Sequence, residues 1–158
     1  MKFISENIID AITEDIGSSE ANFKKTTLEL REEQPAVTAY IFSENFDLFT
    51  QAEKEYFLFL VLVIFKSFKK EESDLRQITE NELGKQEEAN WELLGDVTSK
   101  KFRERMDVFF KNYIQEDLLA FVEDSLMEEE EEMVTKVGRE PMFVALKSII
   151  DAWCDDRE

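Results

Sequence analysis

Ten apolar residues follow one another without a break from Tyr56 to Phe65, and no other stretch limits the possible folds as much. Such a run is either a strand buried on both faces or a helix buried on every side. Thr50-Gln51-Ala52-Glu53 precedes it. That is the spacing of a capping box, in which a threonine hydroxyl and a glutamate carboxylate satisfy each other's backbone N–H groups at a helix start. Lysines at 66, 69 and 70 follow, where positive charge complements the carbonyl end of a helix. Both flanks predict a helix over 51–69, although Val61 and Val63 favour a strand on propensity. Ten helical residues span about 15 Å, half of a bilayer core, so the run predicts the central helix of a bundle and not a membrane span.

The flanking sequence reads as amphipathic helices that must bury one another. Phe3, Ile4, Ile8, Ile9, Ile12 and Ile16 recur at helical spacing and predict a helix over 3–16, with Gly17 as its stop. Ser18 or Ser19 caps a more polar segment over 20–33. Pro35 opens a short third helix with Val37, Tyr40 and Ile41 on its face, and Ser43-Glu44-Asn45 turns the chain. Thr79-Glu80-Asn81-Glu82 is a second capping-box spacing, ahead of Leu83, Ala89, Trp91, Leu93 and Leu94. Phe102, Met106, Phe109, Phe110 and Tyr113 form the cleanest apolar stripe. It continues through Leu118, Phe121, Val122 and Leu126, and is compatible with one helix over 99–127 or with two divided near 115–117. Gly138-Arg139-Glu140-Pro141 predicts a turn into the last helix, with Pro141 near its first position and Phe143, Leu146, Ile149, Ile150 and Trp153 on its buried face.

Only 4 Gly and 2 Pro occur, too few for the turns of a sheet protein. The expectation is an all-α fold, a compact multi-helix bundle or short helical array of about six or seven helices. No long linker divides the chain, and 158 residues form one ordinary domain, 1–158. The helices over 99–113 and 141–153 are expected to pack on the helix over 51–69.

Charge and the missing residue types bound the function. Lys and Arg number 19 against 37 Asp and Glu, a net of -18, which repels nucleic acid and anionic membrane and attracts a basic partner. Histidine is absent, which excludes Ser-His-Asp and Cys-His catalysis and His-ligated zinc. Cys154 is the only cysteine, so no internal disulfide forms, and its neighbours Asp155 and Asp156 oppose a reactive thiolate. No glycine-rich phosphate loop and no calcium loop is present. No cofactor or resident metal is therefore expected. The N-terminus lacks a signal peptide's apolar run, which predicts a cytoplasmic location.

Two candidate groups remain. Asp117, Glu123, Asp124 and Glu128 are carboxylates at helical spacing, read as solvated surface or, in the alternative, as the site of a Mg-dependent enzyme. Lys100, Lys101, Arg103, Arg105 and Lys111 form one basic cluster, expected to pair with the acidic tracts at 71–96 or 115–133, in this chain or a second copy. Arg139, at a predicted helix start where the dipole disfavours a cation, either pairs with a carboxylate of another helix or is an ordinary loop charge. The function expected is a non-catalytic binding or interaction protein with a basic protein partner.

Overall fold

The computed structural model describes residues 2–127 and 134–154. The five-glutamate run at 128–132 and the tail from 155, expected to be solvated, lie outside the described residues. Those described form eight α-helices and no strand: α1 Glu6–Gly17, α2 Glu20–Glu33, α3 Pro35–Ile41, α4 Gln51–Glu71, α5 Glu80–Gly95, α6 Phe102–Phe110, α7 Glu116–Leu126 and α8 Lys136–Cys154. A single 3-10 turn, Glu44–Phe46, links α3 to α4. Among the described residues no helix is long and apolar enough to cross a membrane.

Two helices form the axis of the molecule. Leu60 to Phe65 of α4 are sealed from solvent, as are Met142 to Leu146, Ile149 and Ile150 of α8, and a helix apolar all round must be enclosed on all sides. α4 and α8 pack together; α1 and α2 cover α4, while α5 and α7 cover α8. Contacts of α1 with α7 and of α3 with α5 close the ring. The helix over 99–113 was expected on α4. Its structured part, α6, packs instead on α5 and α7, and its Phe102 and Phe109 rings meet Phe143 of α8 at 6.0 and 5.6 Å.

The start of α8 also differs from expectation. Gly138 to Pro141 do not form a turn; they are helical, and Pro141 stands inside α8. The reason lies at Thr135, which caps the helix: its carbonyl accepts from the Gly138 and Arg139 N–H groups, and its hydroxyl from Gly138 again. Bonding therefore begins before the proline. Pro141 leaves only the Val137 carbonyl without its helical donor, and Val137 is on the open side, 78% exposed.

The capping box at the start of α4 is present, and Glu53 does more than close it. Its Oε1 accepts from the Thr50 N–H at 2.9 Å, while Oε2 accepts from the N–H and hydroxyl of Thr135 at 3.1 and 3.0 Å. One buried carboxylate thus holds the N-termini of both axial helices. Gly138 makes room for it, since a Cβ there would fall on Glu53 Oε2.

Two glutamines at helix junctions pin extended segments to the bundle. Gln34, between α2 and α3, donates to the Arg76 carbonyl and accepts from the Ile78 N–H. Gln115, between α6 and α7, donates to the Lys2 carbonyl and accepts from the Ile4 N–H. In both cases one amide side chain satisfies a carbonyl and the N–H two residues on, as a neighbouring strand would. The α6–α7 break falls at Asn112, whose φ of 54° is positive, a conformation that asparagine tolerates better than most residues.

Candidate binding surface

Two members of the basic cluster, Arg103 and Arg105, are engaged on their own chain. Arg103 of α6 reaches Glu123 and Asp124 of α7 at 2.5 and 3.3 Å. Arg105 forms a two-pronged contact with Glu140 of α8, both oxygens at 3.0 Å, and donates to the Val97 and Ser99 carbonyls. Lys100, Lys101 and Lys111 are exposed; Lys101 is the N-cap residue of α6. Arg139 extends its Nε to the Leu126 carbonyl at 3.1 Å. It lies neither in a loop nor on a carboxylate in that contact: it closes the C-terminal end of α7, where the dipole favours a cation.

On the opposite side, Lys66 and Lys69 of α4 grip Glu29 of α2 at 3.1 and 2.8 Å, and Lys69 also takes Glu33. Burial pushes the Glu29 carboxyl up, but the Lys69 and Lys66 ammonium groups outweigh it and hold Glu29 below its ordinary value. Lys69 is raised in turn: burial lowers it, and Glu29 and Glu33 more than offset that. Glu123 behaves in the other sense. Burial raises it, and Arg103 offsets only part of the rise.

Among the described residues the most enclosed cation is Lys147 of α8, which the amphipathic pattern placed nowhere in particular. Its Nζ donates to Asn90 Oδ1 and Asp151 Oδ2, both at 2.8 Å. It also lies 5.1 Å from the Phe109 ring centre and 4.8 Å from that of Tyr113, close enough for cation–π attraction. Asn90 donates to Ser148 and Asp151, and the Tyr113 hydroxyl donates to the other Asp151 oxygen. Burial, and then the Asp151 charge, push the Tyr113 phenol far above its ordinary value, so it stays a donor. The cluster is closed on itself, a polar joint between α5, α6 and α8. One sequence signal pointed to it: Lys147 interrupts a run whose neighbours are all apolar or small, from Met142 to Ile150.

With these cations engaged, acids dominate what faces solvent. Between α1 and α7 lies a groove of about 450 Å³, lined by Glu6, Asp10, Asp117 and Asp124, with Ile9, Ala120 and Phe121 as its apolar floor. The packing of α1 on α7 creates it, and Asp117 fixes the geometry by accepting from the Glu6 N–H at 3.0 Å, a cap that Ser5 does not provide. Of the carboxylate set read from the sequence, Asp117 and Asp124 line the groove, Glu123 is engaged by Arg103, and Glu128 lies outside the described residues. Among the described residues no three acids or cysteines converge closely enough to hold a metal ion. Glu6 and Asp10 belong to the site but were not singled out from the sequence, because only the α1–α7 contact brings them beside α7. No family model, curated protein or solved structure matches the chain.

Proposed function

We propose that this chain is a non-catalytic binding protein whose partner is a basic protein segment. The observation that carries the reading is the α1–α7 groove, with four carboxylates around an apolar floor, one of which, Asp124, is already paired with Arg103 at 3.3 Å. Such a site attracts lysine and arginine over a distance set by the Debye length, and its floor receives their aliphatic stems. A second copy of the chain suits it poorly, since two surfaces of the same sign repel.

Calorimetric titration with a short lysine-rich peptide at about 0.05 and 0.3 M NaCl tests the reading. Binding should be saturable at the lower salt and weaken at the higher. The Glu6→Gln/Asp10→Asn double variant should lose about fivefold or more in affinity. Absence of saturable binding at low salt, or binding that ignores the double substitution, would remove this groove from consideration.

A further inference from the structure

Arg103 stands between two carboxylates that hold it unequally. Its Nη1 donates to Glu123 Oε1 at 2.5 Å, whereas Nη1 and Nη2 reach Asp124 Oδ1 only at 3.3 Å. A charge-assisted N–H···O bond is ordinarily about 2.7–2.9 Å long, so the first contact is tight and the second loose. The surroundings differ in the same sense: the Glu123 side chain is 13% exposed and the Asp124 side chain 71%. A sheltered pair keeps most of its attraction, while an exposed one is screened and contributes little. Arg103 is therefore tethered at Glu123 and rests lightly on Asp124.

The helix dictates this division of roles. Residues 123 and 124 are about 100° apart around α7. Glu123 is on the flank that α6 covers, where Arg103 and Asp107 both act on it. Asp124 is on the face it shares with Asp117, seven residues and about two turns earlier, and both line the acidic groove. The forked guanidinium is wide enough to touch both flanks at once. A cation of the chain itself thus sits on one of the four groove carboxylates, while Glu6 and Asp10 on α1 are exposed.

We infer that Arg103 is an internal stand-in for the partner's cation: it covers Asp124 in the free protein and, pivoting on Glu123, yields it when a basic segment enters the groove. The inference rests on the function proposed above and adds its regulation. Asp124 is paired before and after the exchange, so a lone cation arriving there gains only what Arg103 gives up. A segment whose other cations also reach Glu6 and Asp10 gains more than it displaces. Arg103 thereby turns away single cations and favours partners that carry several.

Calorimetry with the lysine-rich peptide at about 0.05 M NaCl tests this. Arg103→Gln should bind the peptide about threefold or more tightly than the parent, and Arg103→Lys, which lacks the fork, should fall between them. Lys101→Gln removes the same charge from the start of the same helix, where Lys101 is exposed; its gain should stay well below that of Arg103→Gln. A double-mutant cycle isolates the contact. Asp124→Asn should change affinity by less than about twofold in the parent and weaken it by about threefold or more in the Arg103→Gln background. Thermal unfolding checks that each variant is folded, and the same cycle built on Arg103→Lys, which retains a cation for Glu123, gives the reading if Arg103→Gln is not. Equal gains for Arg103→Gln and Lys101→Gln, or an equal cost of Asp124→Asn in both backgrounds, would overturn the stand-in and leave the groove reading intact. Saturable binding by neither the parent nor the Arg103 variants would overturn both.

Discussion

Single atoms decide the sign of several substitutions. Gly138 and Gly84 are both helical, yet a Cβ at Gly138 meets the Glu53 carboxylate, and one at Gly84 meets nothing within 4 Å. Gly138→Ala should destabilise by about 1–3 kcal/mol, by driving Glu53 off the Thr135 donors. Gly84→Ala should stabilise by about 0.5–1 kcal/mol, through the lower entropy of the unfolded chain. Urea unfolding of the two variants in parallel reads both signs. Lys147 and Asp151 are 6% and 15% exposed at their side chains. Lys147→Met should therefore cost about 3–5 kcal/mol, because it strands a carboxylate away from water; a loss under about 1 kcal/mol would mean that water reaches the pair. Glu29 sets a pH response. Its folded pKa lies below the ordinary 4.5, so the folded chain binds this proton less readily than the unfolded chain. The stabilisation is complete above pH 4.5 and is lost as pH falls through the lower folded value. Glu29→Gln should thus be less stable than the parent at neutral pH, with the difference shrinking below pH 4.5 in unfolding curves. Glu123, raised by burial, works in the opposite sense and gains stability as acid is added.

At the scale of elements, α4 is the one whose place was plainest. Its cap, its uninterrupted apolar run and its terminal lysines all specify a helix enclosed on every side, and Leu60 and Ile64 are sealed within it. Leu60→Ala or Ile64→Ala should each cost about 2–5 kcal/mol in denaturant unfolding, from lost transfer energy and the cavity left behind. The second axial helix was harder to read. Lys147, Ser148 and Asp151 interrupt the apolar residues of α8, so periodicity suggested one buried face where the structure buries nearly the whole circumference. Polar groups pass for a solvated face when their partners, here Asn90 and Tyr113, lie 57 and 38 residues away. Trp91 and Leu93 of α5 illustrate the converse. They read as core residues, yet they are 39% and 48% exposed, since Leu83, Asn90 and Leu94 take the inner face. The division of 99–127 was expected near 115–117; the helix in fact stops at Phe110 and resumes at Glu116, with Asn112 at a positive φ between them. For the candidate site, total charge was legible and location was not, because the groove depends on which helices meet, and local spacing does not carry that.

For the whole molecule, net charge opposes compactness. The pairs made by Lys66, Lys69, Arg105 and Lys147 are partly or largely sheltered, and salt screens sheltered pairs less than exposed charges. The uncompensated acids of a -18 chain are the part that salt reaches. Raising NaCl from about 0.02 to 0.5 M should therefore raise the melting temperature. About 1 kcal/mol of relieved repulsion corresponds to about 2–4 °C at this size. A flat or falling melting temperature, with reversible unfolding, would place the balance with the ion pairs. The pairing of α4 with α8 has one more consequence, in the order of synthesis. The apolar run of α4 is complete at Phe65, but the α8 residues that enclose it begin at Met142. At about 5–20 residues per second, the ribosome makes that run several seconds before its cover exists. Until then α1 and α2, already made, supply the main cover that α4 has. The nascent chain thus holds its most apolar surface half-dressed while residues 66–141 are made, and its core closes only as α8 arrives.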